Sequence, residues 1–114
     1  MPLKRLFIID DEKDFCQLLK GYFVKKNYEV EVYNLLQDGL KALENQESCT
    51  VFLDNNLPDG LGWEKIGELH EKCPGLRLHL LSGYQYAHNV FRKGAQIKVW
   101  QKPVTFNDLD QFFK

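Results

Sequence analysis

The 114-residue sequence predicts a single doubly wound α/β domain: a five-stranded parallel sheet of order 2-1-3-4-5 with helices on both faces. Three observations predict it. Five short apolar runs alternate with segments of helical periodicity, so successive strands are joined by crossovers and lie parallel. The second run, Tyr28–Tyr33, alternates with Glu29 and Glu31, the pattern of a half-exposed edge strand. The other runs end in Asp10 and Asp11, Asp54, Ser82 and Lys102, which parallel strands gather at one sheet edge, where open α/β folds place their sites.

Residues 3–9 read as a buried strand. Residues 12–26 carry Phe15, Leu18, Leu19, Tyr22 and Phe23 at helical spacing, with Asp11 and Asp14 as start signals. After the edge strand, Asn34 is expected to cap a helix bearing Leu36, Leu40 and Leu43. Residues 50–53 are the third strand, and Asn55-Asn56-Leu57-Pro58-Asp59-Gly60 is loop chemistry. Residues 62–73 form a helix with Ile66 and Leu69 inward, stopped by Pro74-Gly75. Residues 76–81 are the fourth strand, residues 84–93 a short helix stopped by Gly94, and residues 97–101 the fifth strand. Thr105 and Asp108 have the spacing of a capping box for a last helix with Phe106, Leu109 and Phe112 inward.

Composition narrows the function. Fifteen basic against 16 acidic side chains give a net charge of −1, with no excess of the positive charge that nucleic-acid binding requires. The longest apolar run, Leu6-Phe7-Ile8-Ile9, is too short to span a membrane, and the start lacks the apolar stretch of a secretory signal. Cys16, Cys49 and Cys73 are odd in number and lack a Cys-x-x-Cys spacing, which suits free thiols in the cytoplasm. His70 and Cys73 stand three apart, but no second ligand pair supports zinc. Taken singly, Asp10 and Asp11 are helix-start acids, Ser82 a turn hydroxyl and Lys102 a solvated lysine. Three carboxylates, a hydroxyl and an ammonium in one crevice instead suit phosphoryl transfer.

In that order and at these spacings, the motifs resemble the response-regulator receiver domain of two-component signalling, of the chemotaxis-regulator kind. The carriers are Asp10-Asp11, Asp54-Asn55-Asn56-Leu57-Pro58 with Gly62 eight residues after Asp54, Ser82-Gly83 and Lys102-Pro103. The resemblance spans the chain, so residues 1–114 are expected to be one receiver domain with a flavodoxin-like (βα)5 fold. It implies that Asp54 accepts a phosphoryl group from a histidine kinase or a histidine phosphotransfer protein. It implies Mg²⁺ held by Asp11 and Asp54 directly, by Asp10 through water and by the Asn56 carbonyl. It further implies that Lys102 and Ser82 cover phosphoryl oxygens, helped by the Gly83 N–H, and that Lys102 pairs with Asp54 beforehand, through a candidate cis Lys102–Pro103 bond. Asn56 and Tyr84 occupy positions that in this family tune access of attacking water. The output would pass through the face of helix 4, strand 5 and helix 5, to a partner protein or to an output domain.

The chain departs from the family pattern where output is controlled. The segment from Ser82 to Gly94 is about three residues short, nearly one helical turn. This predicts a shortened, displaced or mobile helix 4. Val99 stands where the switch aromatic is usual, and Trp100 beside it faces the other side of the strand. Arg77 and His79 replace buried apolar residues in the fourth strand. A phosphorylation-independent interaction module is the competing reading. A metal-dependent phosphatase would place an acid where Asn56 stands, and a flavin carrier would not place Asp10-Asp11-Glu12 in its phosphate loop.

Overall fold

The computed structural model describes residues 4–44, 46–83 and 97–113. Its elements run β1 (Lys4–Ile9), α1 (Lys13–Lys25), β2 (Tyr28–Tyr33), α2 (Leu36–Ala42), β3 (Ser48–Asp54), β4 (Asn56–Leu57), β5 (Gly60–Leu61), a 3-10 turn (Gly62–Lys65), α3 (Ile66–Lys72), β6 (Gly75–Ser82), β7 (Ile97–Gln101) and α4 (Phe106–Phe112). The parallel sheet has the order β2-β1-β3-β6-β7, the expected 2-1-3-4-5 arrangement. β4 and β5 form a small antiparallel hairpin inside the expected loop. The expected helix over residues 84–93, its shortening, and Tyr84, Tyr86, His88 and Gly94 lie outside the described residues.

Register explains the two-sided core. Leu6, Thr50 and Arg77 lie side by side, as do Ile8, Phe52, His79 and Lys98. Alternation sends neighbouring residues to opposite faces. One face buries Phe7, Ile9, Val51, Leu53, Leu78 and Leu80 under Leu36, Leu40, Leu43 and Leu69 of α2 and α3 and the loop after α2. The other buries Leu6, Ile8, Phe52, Leu81 and Trp100 under Cys16, Leu19 and Phe23 of α1 and Leu109 of α4. Val99 packs on the first face and Trp100 on the second, as the strand pattern required. At about 0.8 kcal/mol per buried methylene, these two layers carry most of the drive to fold.

Several helix details differ from expectation. Inside α1 the buried stripe is Cys16, Leu19 and Phe23, while Leu18 is exposed; a 13-residue helix over a flat sheet buries a narrower face than its apolar content suggests. Asn34 does not cap α2. Its Nδ2 donates to the Asp10 carbonyl (2.8 Å), and the first N–H groups of α2 donate instead to Asp59, at 2.7 Å from Leu36 N and 2.9 Å from Gln37 N. A carboxylate from the hairpin loop reaches these orphan donors because the chain folds back over α2. In α4 the Thr105–Asp108 capping box forms as read, but only Leu109 of the three inward candidates is buried. Phe106 stacks on Tyr22 at the periphery, and the buried role expected of Phe112 passes partly to Phe113, which packs against the α1 and α4 core.

Candidate functional site

The order of strands reverses between β1 and β3: from β1 the chain moves outward to β2, then crosses back to β3. The crevice outside their carboxyl ends therefore receives Asp10 from one strand and Asp54 from the other. Asp10 is fully buried. Its Oδ1 accepts from the Glu12 N–H (2.9 Å), and its Oδ2, which has no hydrogen-bond partner, lies 3.0 Å from Lys102 Nζ in an ion pair of poor hydrogen-bond angle. Asp11, the next residue, is exposed at the mouth. Asp54 closes β3 and is buried. One carboxylate oxygen from each of Asp10, Asp11 and Asp54 can be chosen so that all lie within 4.8 Å of one another.

Lys102 follows β7 and reaches across this group, its ammonium standing 5.1 Å from the Phe15 ring centre. Its backbone N–H donates to the Ser82 carbonyl (2.7 Å), which fixes the end of β7 against the end of β6, and its peptide bond to Pro103 is cis. The expected Lys102–Asp54 pair is the longest of three contacts. The ammonium is 3.9 Å from Asp54 Oδ1, 3.0 Å from Asp10 Oδ2 and 2.5 Å from Glu12 Oε1. The fully buried Asp10 oxygen, with no other donor, draws the cation toward β1. Glu12 was not foreseen as a partner; as the residue between the acidic pair and α1, it reads in the sequence as a helix-start acid.

Ser82 is buried at the carboxyl end of β6, one register position beyond the Asp54–Leu81 pair. Asn56 lies exposed in β4, two residues past Asp54. The loop between them and α3 is tied down hard. Gly62 N–H donates to the Asn55 carbonyl (2.8 Å), Trp63 N–H to Asn55 Oδ1 (3.1 Å), and the Trp63 indole to the Leu53 carbonyl (3.4 Å). A Cβ at Gly62 would stand 2.3 Å from the Asp54 carbonyl oxygen, so the close approach of this loop to β3 requires glycine.

Electrostatics follow from burial and crowding. Burial, then the charge of Asp10, push the Asp54 carboxyl up to about 6, against the opposing pull of Lys102 and the Asn55 N–H. Burial likewise raises Asp10 above the ordinary carboxylate range, more than the Glu12 N–H and Lys102 lower it. Burial alone would depress the Lys102 ammonium; its short contacts with the Glu12 and Asp10 carboxylates outweigh that and hold it above its ordinary value. Among the described residues Lys102 is the only cation paired with these acids. The donor set is hard oxygen with excess negative charge, and it fits a small divalent cation well.

An acidic triad and a lysine at the switch point of a doubly wound parallel sheet make a site suited to a divalent cation and an anionic group beside it. Residues 6–114 match the family described as the response regulator receiver domain, nearly the whole chain, and the chain belongs to that family. It is similar to the photosynthetic apparatus regulatory protein RegA of Rhodobacter capsulatus, 27% identical over 71% of this chain and 44% of that protein. It is similar to the acid tolerance regulatory protein ActR of Rhizobium meliloti, 25% identical over 95% of this chain and 57% of that protein. The chain thus spans about half the length of these curated relatives. Among solved structures, a CheY-like receiver domain protein from Methanospirillum hungatei superposes with a TM-score of 0.85 at 30% identity, over 97% of this chain and 90% of the other. No helix among the described residues is long and apolar enough to cross a membrane.

Proposed function

We propose that Asp54 is the phosphoacceptor of a Mg²⁺-dependent switch. The observation that carries this is the convergence of Asp54 with Asp10, Asp11 and Lys102 at the carboxyl edge of the sheet. A carboxylate oxygen of Asp54 attacks the phosphorus of a phosphohistidine on a kinase or phosphotransfer protein. The P–N bond breaks, its electron pair leaves on the imidazole, and an acyl phosphate remains. Asp10, Asp11, Asp54 and the Asn56 carbonyl would hold the metal. When bound, the metal supplies positive charge to the carboxylates and to the transferred group. Lys102 turns from Asp10 to a phosphoryl oxygen, and the Ser82 hydroxyl donates to another, helped by the Gly83 N–H.

Residues 1–114 act as one regulatory phosphoacceptor domain in the cytoplasm, catalysing only their own phosphorylation and dephosphorylation. The signal passes to a downstream protein or an output domain, with no nucleic-acid contact by this domain, consistent with its net charge of −1. The test is intact mass after incubation with Mg²⁺ and acetyl phosphate, beside an Asp54→Ala control. One Mg²⁺-dependent phosphoryl adduct, absent from the control, is expected. A folded, Mg²⁺-binding protein that never takes the adduct would refute the proposal in favour of a phosphorylation-independent interaction module.

A further inference from the structure

Cys49 and Cys73 place their sulfur atoms 3.3 Å apart, one thiol donating to the other. Carbon atoms in a packed core stand about 3.5–4.0 Å apart, so two larger sulfurs at this distance are pressed together. A disulfide bond is about 2.05 Å long, and roughly 1 Å of closure would make one.

Local bonds hold both backbones in place. Cys49 is the second residue of β3 and pairs with Leu76 of β6. Cys73 closes α3, its N–H donating to the Leu69 carbonyl (2.9 Å). Pro74 forbids a further helical turn and favours extended backbone at the residue before it. Cys73 accordingly leaves the helix at φ −134° and ψ 89°, and its carbonyl accepts from the Leu76 N–H (3.1 Å). The Gly75 N–H then donates to the Glu47 carbonyl (3.0 Å), and a Cβ at Gly75 would stand 2.7 Å from that same oxygen. The turn after α3 is thus clamped onto the start of β3, and the clamp sets Cys73 against Cys49.

Both side chains belong to the core layer under α2 and α3. Cys16 lies on the other face of the sheet, its thiol donating to the Asp10 carbonyl (3.2 Å), so the sheet keeps the third sulfur from the pair. Ser48 and Pro74, next to the two cysteines in the chain, are exposed, which puts the pair one residue below the surface. Burial, then the hydrogen bond with Cys73, push the Cys49 thiol up to about 12. Its attack on an oxidant is therefore slow. Bulky reagents are shut out, while a small oxidant reaches the sulfurs through local opening at this end of the sheet.

We propose that Cys49 and Cys73 are a redox pair, joined as a disulfide by hydrogen peroxide while the chain stays folded. One sulfur, as its thiolate, attacks a peroxide oxygen. The O–O bond breaks, the departing hydroxide takes up the thiol's proton to leave as water, and a sulfenic acid remains. The second sulfur attacks the first, the S–O bond breaks, and the hydroxyl leaves as water with the second thiol's proton. The two sulfurs lose two electrons, and one peroxide becomes two waters. Contact between the sulfurs lets this second step outrun further oxidation. The bond closes a loop over residues 49–73 that holds Asp54, the β4–β5 hairpin and α3, and it ties α3 to the strand that carries Asp54. The pair stands at the other end of β3 and does not depend on phosphoryl transfer.

The test exposes the folded chain to hydrogen peroxide at pH 8, blocks the remaining thiols with iodoacetamide in urea, and reads intact mass and linked peptides. The expected product has lost two hydrogen atoms, carries one alkylated thiol at Cys16, and holds a single Cys49–Cys73 link. The link should persist in Cys16→Ala and be absent from Cys73→Ala. A chain oxidised in urea should instead spread its links over all three pairings. The linked chain should keep the native spectrum and unfold at a urea midpoint higher by roughly 1 M or more, and dithiothreitol should reverse the shift. Links to Cys16 in the folded chain, a sulfinic acid at Cys49 without a link, three free thiols after an exposure that fully oxidises the unfolded chain, or loss of the native spectrum on linking would overturn the proposal.

Discussion

Replacing Asp54 by asparagine should stabilise the metal-free protein. The carboxyl is raised from its ordinary 3.8 to about 6, chiefly by burial and then by Asp10. At about 1.4 kcal/mol for each tenfold change, ionising it in the folded state at pH 7 costs about 3 kcal/mol more than in the unfolded chain. Asn keeps the shape and a hydrogen-bond acceptor for the Asn55 N–H but carries no charge. It gives up a long contact to Lys102, whose shorter contacts to Asp10 and Glu12 remain. A net gain of about 1–2 kcal/mol is expected, or about 1 M in the urea midpoint. The sign with pH follows from the raised value. Well below pH 3.8 the group is neutral in both states and the gain vanishes; it grows as pH rises from there through pH 6 and is nearly complete by pH 7. Millimolar Mg²⁺ should stabilise the wild type by the logarithm of site saturation and the variant much less, closing the gap. Urea unfolding of both proteins at pH 4, 5.5 and 7.5, in EDTA and in Mg²⁺, reads all of this. Identical midpoints at pH 7.5 in EDTA, or an advantage already full at pH 4, would refute the account of a crowded, desolvated carboxylate.

Three further outcomes can be checked directly. Gly62→Ala should destabilise the fold by about 1–3 kcal/mol or more in the same urea assay, since its Cβ meets a backbone oxygen that cannot swing aside; a near-neutral substitution would mean the loop stands further from β3. Asp59→Ala should lower the melting temperature at pH 7 but not near pH 2. Two backbone N–H bonds hold this carboxyl below its ordinary range, so its contribution is present above the unfolded value and lost as pH falls through the folded one. Native protein at pH 8 should react with a thiol reagent far more slowly than the urea-unfolded chain, because Cys16, Cys49 and Cys73 are all buried and burial pushes the Cys16 and Cys49 thiols up to about 12; fast labelling in the native state would contradict that packing.

Sheet order and site were legible in the sequence for one reason. Parallel strands buried on both faces read as unbroken apolar runs, and the chemistry-bearing residues stand at the ends of those runs, where the topology has only one place to put them. What escaped reading was set by contacts between distant segments. Asn34 has the right chemistry and position for a cap, yet Asp59, 23 residues beyond Leu36, supplies the oxygens, because a local acceptor and a distant one compete and only tertiary packing decides. Leu18 and Phe106 have core chemistry but sit at helix edges, since periodicity fixes spacing and not the width of the buried stripe. Glu12 looked like any acid near a helix start until Lys102, 90 residues away, was placed beside it.

That last separation has a consequence for how the site is held. β1 lies between β2 and β3, and β7 lies at the far edge. Asp10, Asp11 and Asp54 all precede Lys102 in the chain, so the three acids converge through β1 and β3, while the cation set against them comes from the far edge of the sheet. The acceptor site is therefore complete only with β7 in place, and a change that loosens this edge strand reaches the acids through Lys102.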